Sequence, residues 1–302
     1  MDNALRHSFA IPEVAELTES PEGLARLDIR TDLSSGQIHL QGAHVTAFQP
    51  AGQAPVLFMS ERSHFAPGQP IRGGVPLCFP WFGPRFEQPD SPSHGFARTA
   101  MWEIESLRGS ASKGVDVWFR LESSDATRAL WPHQFIARYR VQMAATLTLT
   151  LEVQNTSATP FIFEEALHTY LAVSDAREIS ITGLEGITFL DKTDALRRKL
   201  QGPDPIRISG ELDRVYLDTP ATCGLHDPGA SRLLVVEKSG SVTTVVWNPW
   251  ITKAAALPDF GDDEWPKMVC IETANASENA LTLAPGATHR IGAVIRAEPI
   301  AG

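Results

Sequence analysis

The sequence predicts an all-β protein, a large antiparallel sandwich, from three observations. Over residues 135–153 every odd position is apolar, from Phe135 through Tyr139, Leu147 and Leu151 to Val153. Arg138, Arg140, Gln142, Thr146, Thr148, Thr150 and Glu152 stand between them. Period-two alternation belongs to half-buried antiparallel strands with one face on a core. The remaining apolar stretches are short and are punctuated by 22 glycines and 22 prolines, the spacing of a sandwich or barrel. Helical periodicity is nearly absent, with short helices expected only at Asp125–Leu130 and residues 252–257.

Taken along the chain, strands are predicted at residues 37–39 and 115–121, followed by the hairpin of residues 135–153 turning near Ala144-Ala145. Further strands are predicted at residues 161–173, 179–181, 206–208, 233–237, 242–247 and 268–273. A last pair, Leu281–Leu283 with residues 289–295, is joined by the turn Ala284-Pro285-Gly286-Ala287. No internal repeat, low-complexity tract or composition break marks a linker, so residues 1–302 are expected to form one domain.

Composition excludes several classes of partner. The chain carries a net charge of −10 and no basic run, so nucleic acid is not expected, because phosphate neutralisation dominates such binding. No apolar run is long enough for a bilayer span. The acidic start, residues 1–14, lacks the apolar stretch of a signal peptide. Cys78, Cys223 and Cys270 are odd in number and widely spaced. They suggest neither disulfides nor a metal site and fit a reducing, cytoplasmic setting. An anionic small molecule can bind such a chain only where arginines gather locally.

The most unusual stretch is residues 71–98, which opens Ile71-Arg72-Gly73-Gly74-Val75-Pro76-Leu77-Cys78-Phe79-Pro80-Trp81-Phe82-Gly83-Pro84 and closes His94-Gly95-Phe96-Ala97-Arg98. This density of proline and glycine rules out a helix or central strand, yet the aromatics are too many for a solvated linker. A rigid packed loop presenting Arg72, His94 and Arg98 is expected, and long structured loops are commonly functional. A buried proline-aromatic plug with surface arginines is the alternative.

Other segments leave choices open. On residues 161–173, Phe161, Phe163, Leu167 and Leu171 form a core face, which would display Glu164, His168 and Tyr170 together on the other. Histidine titrates nearest neutrality and suits proton transfer, although a structural histidine bonded to a neighbouring strand fits equally. Trp247-Asn248-Pro249-Trp250 ends a strand with two indoles that either stack on a sugar or cap a core. Glu272 interrupts an apolar strand, so it faces solvent or an enclosed site, where burial would raise its pKa. Asp213 and Arg214 form a polar insertion and are as well explained by pairing with each other on the surface. Phosphate loops, His-Glu-x-x-His helices, nucleophile elbows and dinucleotide fingerprints are absent from the sequence, and His64, His94 and His133 lack metal-ligand spacing.

Six ordered blocks resemble one family: Arg72-Gly73-Gly74-Val75-Pro76 with Phe79-Pro80-Trp81-Phe82-Gly83; His94-Gly95-Phe96-Ala97-Arg98; Ala166-Leu167-His168-Thr169-Tyr170; Asp213-Arg214-Val215-Tyr216; Val246-Trp247-Asn248-Pro249-Trp250; and Cys270-Ile271-Glu272-Thr273-Ala274-Asn275. They resemble the hexose-6-phosphate mutarotases, or glucose-6-phosphate 1-epimerases, a branch of the aldose 1-epimerase family. The resemblance implies a β-supersandwich with a sugar cleft on a concave sheet face, no cofactor and no metal. It also implies His168 as general acid, Glu272 as general base, Arg72 and Arg98 gathering the substrate phosphate, His94 near the anomeric centre and Asp213 on sugar hydroxyls. The expected reaction interconverts the α and β anomers of a hexose 6-phosphate, glucose 6-phosphate first among them, by acid–base ring opening and closure. The alternatives are an epimerase for unphosphorylated aldoses and a non-catalytic sugar-phosphate-binding protein on the same fold. A cytoplasmic monomer is the accompanying expectation.

Overall fold

A computed structural model describes residues 9–85 and 87–300; part of the acidic start, residues 1–8, lies outside them. Two eight-stranded antiparallel sheets dominate. The first, hereafter the cleft sheet, runs in the order Arg197–Leu200, Thr188–Asp191, Leu212–Tyr216, Thr243–Asn248, Met268–Asn275, Glu165–Leu167 and Leu77–Cys78, with Tyr170–Ala172 also on Met268–Asn275. The second, or backing sheet, runs Ser180–Thr182, Cys223–Asp227, Arg232–Ser239, Thr288–Pro299, Leu147–Asn155, Phe135–Met143, Gly114–Glu122 and Glu103–Ser110. Ala15–Glu19, Ala25–Arg30, Ser34–His39 and His44–Pro50 form a four-stranded meander. The fold class is therefore the one that the alternation predicts.

The core lies between the two large sheets. Leu147, Leu149, Leu151 and Val153 of the backing sheet join Leu167, Leu171, Val246, Val269 and Ile271 of the cleft sheet in one buried cluster. Each such side chain contributes about 1.5–3 kcal/mol of hydrophobic stabilisation. The predicted hairpin of residues 135–153 forms as Phe135–Met143 and Leu147–Asn155, its odd positions buried and its even positions half-exposed. Met268–Asn275 is buried at every position, as befits a central strand covered on both faces.

Several predicted elements differ. Residues 161–173 form three short strands rather than one. Phe161–Phe163 leaves to pair with Leu281–Leu283, whereas Glu165–Leu167 and Tyr170–Ala172 pair with Met268–Asn275. The hairpin expected between Leu281–Leu283 and residues 289–295 does not form. The Ala284–Ala287 turn closes, with the Ala287 amide donating to Ala284 O, but Thr288–Pro299 pairs with Leu147–Asn155 and Arg232–Ser239. Asn155 separates the two strands, for its Nδ2 donates to Leu283 O and its backbone bonds Gly286 and Ala287. Residues 206–208 give only one bridge, Ile206 to Ile181. The helix expected at 252–257 spans Trp250–Ala256, and Asp125–Leu130 forms with a Ser124 capping box.

The loop of residues 71–98 is packed as expected, and part of it serves as an irregular edge of the cleft sheet. Leu77–Cys78 pairs with Ala166–Leu167, and the amides of His168 and Tyr170 donate to Pro76 O and Gly74 O. Its two ends are held by glycines. At Gly74, φ is +60° and a Cβ would meet Val45 O at 2.2 Å. At Gly95, φ is +76° and a Cβ would meet Phe79 O at 2.0 Å.

Two predictions follow from this packing. Gly95→Ala should cost at least about 1–2 kcal/mol from the left-handed backbone alone, and more from the clash with Phe79. An unchanged denaturation midpoint would show that the loop yields freely. The second concerns His289, whose Nε2 lies 2.9 Å from Oε1 of the fully buried Glu165. Burial opposes its charge, but the hydrogen bond and charge of Glu165 and the Gly240 carbonyl prevail and raise its pKa. Its contribution is therefore complete below the unfolded pKa of about 6.5 and is lost as pH rises through the folded value. His289→Gln should flatten the alkaline decline in unfolding free energy between pH 6 and 9, and an identical decline in both proteins would remove the assignment.

Candidate active site

Strand register brings together residues far apart in the sequence. Leu167 lies opposite Thr273 and Tyr170 opposite Cys270. The register is the same on both sides, so His168 lies opposite Glu272, with both side chains on the face turned away from the core. Cross-strand neighbours on one face are within contact distance, and His168 Nε2 is 3.4 Å from Glu272 Oε1. The next row across the sheet reads Asp213, Trp247, Cys270 and Tyr170. The Tyr170 ring stacks on His168 with centroids 4.9 Å apart and planes 11° apart, and Trp247 meets both rings edge-on.

The loop of residues 71–98 closes the opposite wall. His94, with a φ of +63°, packs edge-on against Phe82 at 4.8 Å and His168 at 5.5 Å. Its Nδ1 accepts the Gly83 amide at 3.2 Å. The neutral ring therefore carries its proton on Nε2, available as a donor. Arg72 donates through Nη2 to both Asp259 oxygens at 3.0 and 3.1 Å and through Nη1 to Tyr170 Oη at 3.1 Å. Arg98 donates to Ser93 O at 2.7 Å. The buried Nε atoms of both arginines have no partner among the described residues.

The six site residues that the family resemblance implies, Arg72, His94, Arg98, His168, Asp213 and Glu272, line one cavity of about 290 Å³, at the lower end of the range for small-molecule sites. Larger hollows of about 880 and 510 Å³ lie over the Ala15–Pro50 meander and beside Phe96–Leu130. The smaller cavity is the candidate site because His168, Glu272, Asp213 and both arginines converge there, whereas neither of the others is lined by a histidine.

Electrostatics distinguish the groups. Burial, then the charge of Asp213, raises Glu272 well above the usual carboxylate range, while Lys192 opposes that rise. Burial, then Arg72 and Arg98, lowers His168 well below 6.5. Burial likewise lowers His94 and raises Asp213. Donor atoms of His168, Cys270 and Glu272 lie within 4.8 Å of one another, a set that suits zinc by type. Burial and the adjacent Glu272, however, push the Cys270 thiol well up, and the arginines and Lys192 suit the cavity to an anion rather than a dication.

The site corrects several sequence expectations. Glu164 does not join His168 and Tyr170 on the cavity wall. It accepts the amides of Phe82 and Ser277 and so ties two loops together. Asp213 does not pair with Arg214, because neighbours in the strand Leu212–Tyr216 face opposite ways. Asp213 meets Lys192 at 3.1 Å, whereas Arg214 bonds Gln201 and covers Phe189. Of the two indoles, Trp247 lines the cavity and Trp250 packs on Trp265 at 4.1 Å. Lys192 and Asp259 carry no signal in the sequence, because neither belongs to an alternating strand or a recognisable motif.

Comparisons with known proteins identify the family. Residues 26–296 match the family model for Aldose 1-epimerase. A protein of Cenchrus ciliaris is 36% identical over 94% of this chain and 88% of its own length, and one of Escherichia coli K12 is 34% identical over 91% and 92%. Both bear the name "Putative glucose-6-phosphate 1-epimerase". The crystal structure of YeaD from Salmonella typhimurium, titled a putative mutarotase, superposes with a TM-score of 0.90 at 30% identity, covering 96% of each chain. With a family match across most of its length and relatives of this similarity, the chain belongs to the aldose 1-epimerase family of isomerases.

Proposed function

We propose that the protein interconverts the α and β anomers of a hexose 6-phosphate, with glucose 6-phosphate as the leading candidate. The observation that carries this is the facing pair His168 and Glu272 in a cavity that also holds Arg72 and Arg98. The names borne by its relatives point the same way.

Ring opening requires a base to take the C1 hydroxyl proton while an acid protonates the ring oxygen. The resulting aldehyde turns about C1–C2, and closure reverses the roles. The cycle needs one proton on the pair throughout. In the folded protein, burial of both groups favours neutral His168 and protonated Glu272. A phosphate beside Arg72 and Arg98 offsets the positive field on His168 and makes the imidazolium–carboxylate arrangement accessible. His94 Nε2 and Asp213 are placed to hold sugar hydroxyls. Phe82 and Trp247 limit water around the reacting edge. Each positioned proton transfer is worth roughly 10²–10⁴-fold, enough for a reaction that water itself performs slowly.

One observation favours a second reading, an epimerase of unphosphorylated aldoses. Asp259 already compensates Arg72, which leaves Arg98 with the larger share of any phosphate contact. Arg98→Ala should therefore raise KM for glucose 6-phosphate by about ten-fold or more, since a charge-assisted bond contributes roughly 1.5–3 kcal/mol. KM for glucose should change far less. Equal catalytic efficiency of the native protein on both sugars, measured by NMR saturation transfer, would favour the second reading.

For the pair itself, Glu272→Gln and His168→Asn should each lower kcat by about 10²-fold or more with modest change in KM, and the double variant should lose far less than the product of the two. Melting temperatures measured on the same samples separate this from a structural role. Folded single variants with full anomer exchange would end the mechanism.

A further inference from the structure

Lys192 is a cation in the cavity to which the reading above gives no role. It opens a tight turn, Lys192–Asp194, between the outer strands Thr188–Asp191 and Arg197–Leu200 of the cleft sheet. The turn is braced. The Asp191 carboxylate accepts the Thr193 amide and hydroxyl and the Lys199 ammonium, Lys199 also meets Asp194, and the following Ala195 and Leu196 both adopt positive φ. From that support the Lys192 side chain reaches inward. Its ammonium lies 3.1 Å from Asp213 Oδ2 and 5.7 Å from the centroid of the Phe82 ring.

The surrounding charges explain why a cation is needed there. Asp213 and Glu272 are both carboxylates of the same small cavity, one strand apart across Thr243–Asn248, and they repel. From the facing strand segment come His168 and Tyr170, and from Glu272's own strand Cys270, none of them positively charged in the resting site. The loop of residues 71–98 brings Arg72 and Arg98 together with neutral His94 and Cys78. Arg72 is engaged by Asp259 and Tyr170, and Arg98 by Ser93 O. The helix Trp250–Ala256 brings Lys253, itself paired with Glu211 at 3.2 Å. Lys192 alone among these cations is seated on Asp213, at the carboxylate end of the cavity.

Building on the anomer-exchange reading above, we propose that Lys192, held on Asp213 by its braced turn, is a positioning residue whose charge sets the pH range over which the His168–Glu272 pair holds its single working proton. Removing a nearby positive charge makes every protonation of the pair easier, so both the gain of a second proton and the loss of the first move to higher pH. The charge remains in place when a phosphate occupies the arginines, which separates its role from theirs. The Phe82 face and the Asp213 carboxylate fix the ammonium, so an arginine at 192 restores the charge, whereas methionine restores only the stem.

The test is the pH profile of kcat/KM for glucose 6-phosphate anomer exchange in the native protein, Lys192→Met, Lys192→Gln and Lys192→Arg, with the His168 ring titrated by NMR in the same samples. Both limbs should move upward by roughly half a pH unit or more in the methionine and glutamine variants. They should return towards native positions in the arginine variant, and the His168 titration should follow. Unmoved limbs and titration in folded Lys192→Met would overturn the inference. So would a raised KM for the phosphosugar with an unmoved profile, which would make Lys192 a phosphate ligand. A lowered melting temperature with an unmoved titration would reduce it to a structural brace. If the native protein exchanges no sugar anomers yet the His168 titration still moves, the electrostatic role stands and the anomer-exchange reading fails.

Discussion

The antiparallel pairing of residues 165–172 with Met268–Asn275 is the constraint on which the site depends. It runs in one register through the irregular turn of chain at His168-Thr169. That continuity sets His168 against Glu272 and Tyr170 against Cys270. A slip of one residue would turn each side chain to the opposite face, placing Leu167 and Ile271 in the cavity and two ionisable groups in the core. The core itself opposes such a slip, because Leu167, Leu171, Val269 and Ile271 are buried among the side chains of the backing sheet. The packing that stabilises the fold therefore also specifies the geometry of the facing pair His168 and Glu272.

The second constraint is charge. A chain with a net charge of −10 repels an anionic ligand at long range, so affinity for a phosphate must be made locally. The loop of residues 71–98 carries Arg72 at one end and Arg98 at the other, and brings both to the cavity, as the proposed phosphate contact requires. Each arginine is anchored in part: Asp259 and Tyr170 accept from Arg72 and the Ser93 carbonyl from Arg98. This arrangement limits the desolvation cost of burying guanidinium groups and gives up some of their fork to the protein. Carboxylates, histidines and arginines share one small enclosure, in which each charge acts on the protonation of its neighbours.

Much of the fold was legible in the chain. Alternation at residues 135–153 was unambiguous because one face meets the core and the other stays half-exposed. The strands Ala15–Glu19, Ala25–Arg30 and Arg197–Leu200 were not anticipated, since exposed polar side chains blur the pattern. The three-residue segments Phe161–Phe163 and Leu281–Leu283 found each other through pairing choices that local pattern cannot specify. Glu164 looked like a site residue by alternation alone, and the break in the strand after Phe163 redirected it to cap two loops.

Sequence alone determined the residue types of the site and the sheet-rich class. Glycine–proline density marked the packed loop, an acid marked the apolar strand Met268–Asn275, and the ordered motif blocks named the family. Tertiary structure decided which of these residues meet. Long-range strand register, invisible to any local window, placed Glu272 against His168, and set Asp213 in the row of Trp247, Cys270 and Tyr170. Packing outside the strands brought in Lys192, at its turn, and Asp259, in the loop after the helix Trp250–Ala256. The physical reason is that side-chain direction along a strand is a local property, whereas the partner across the sheet is fixed by burial of the whole core.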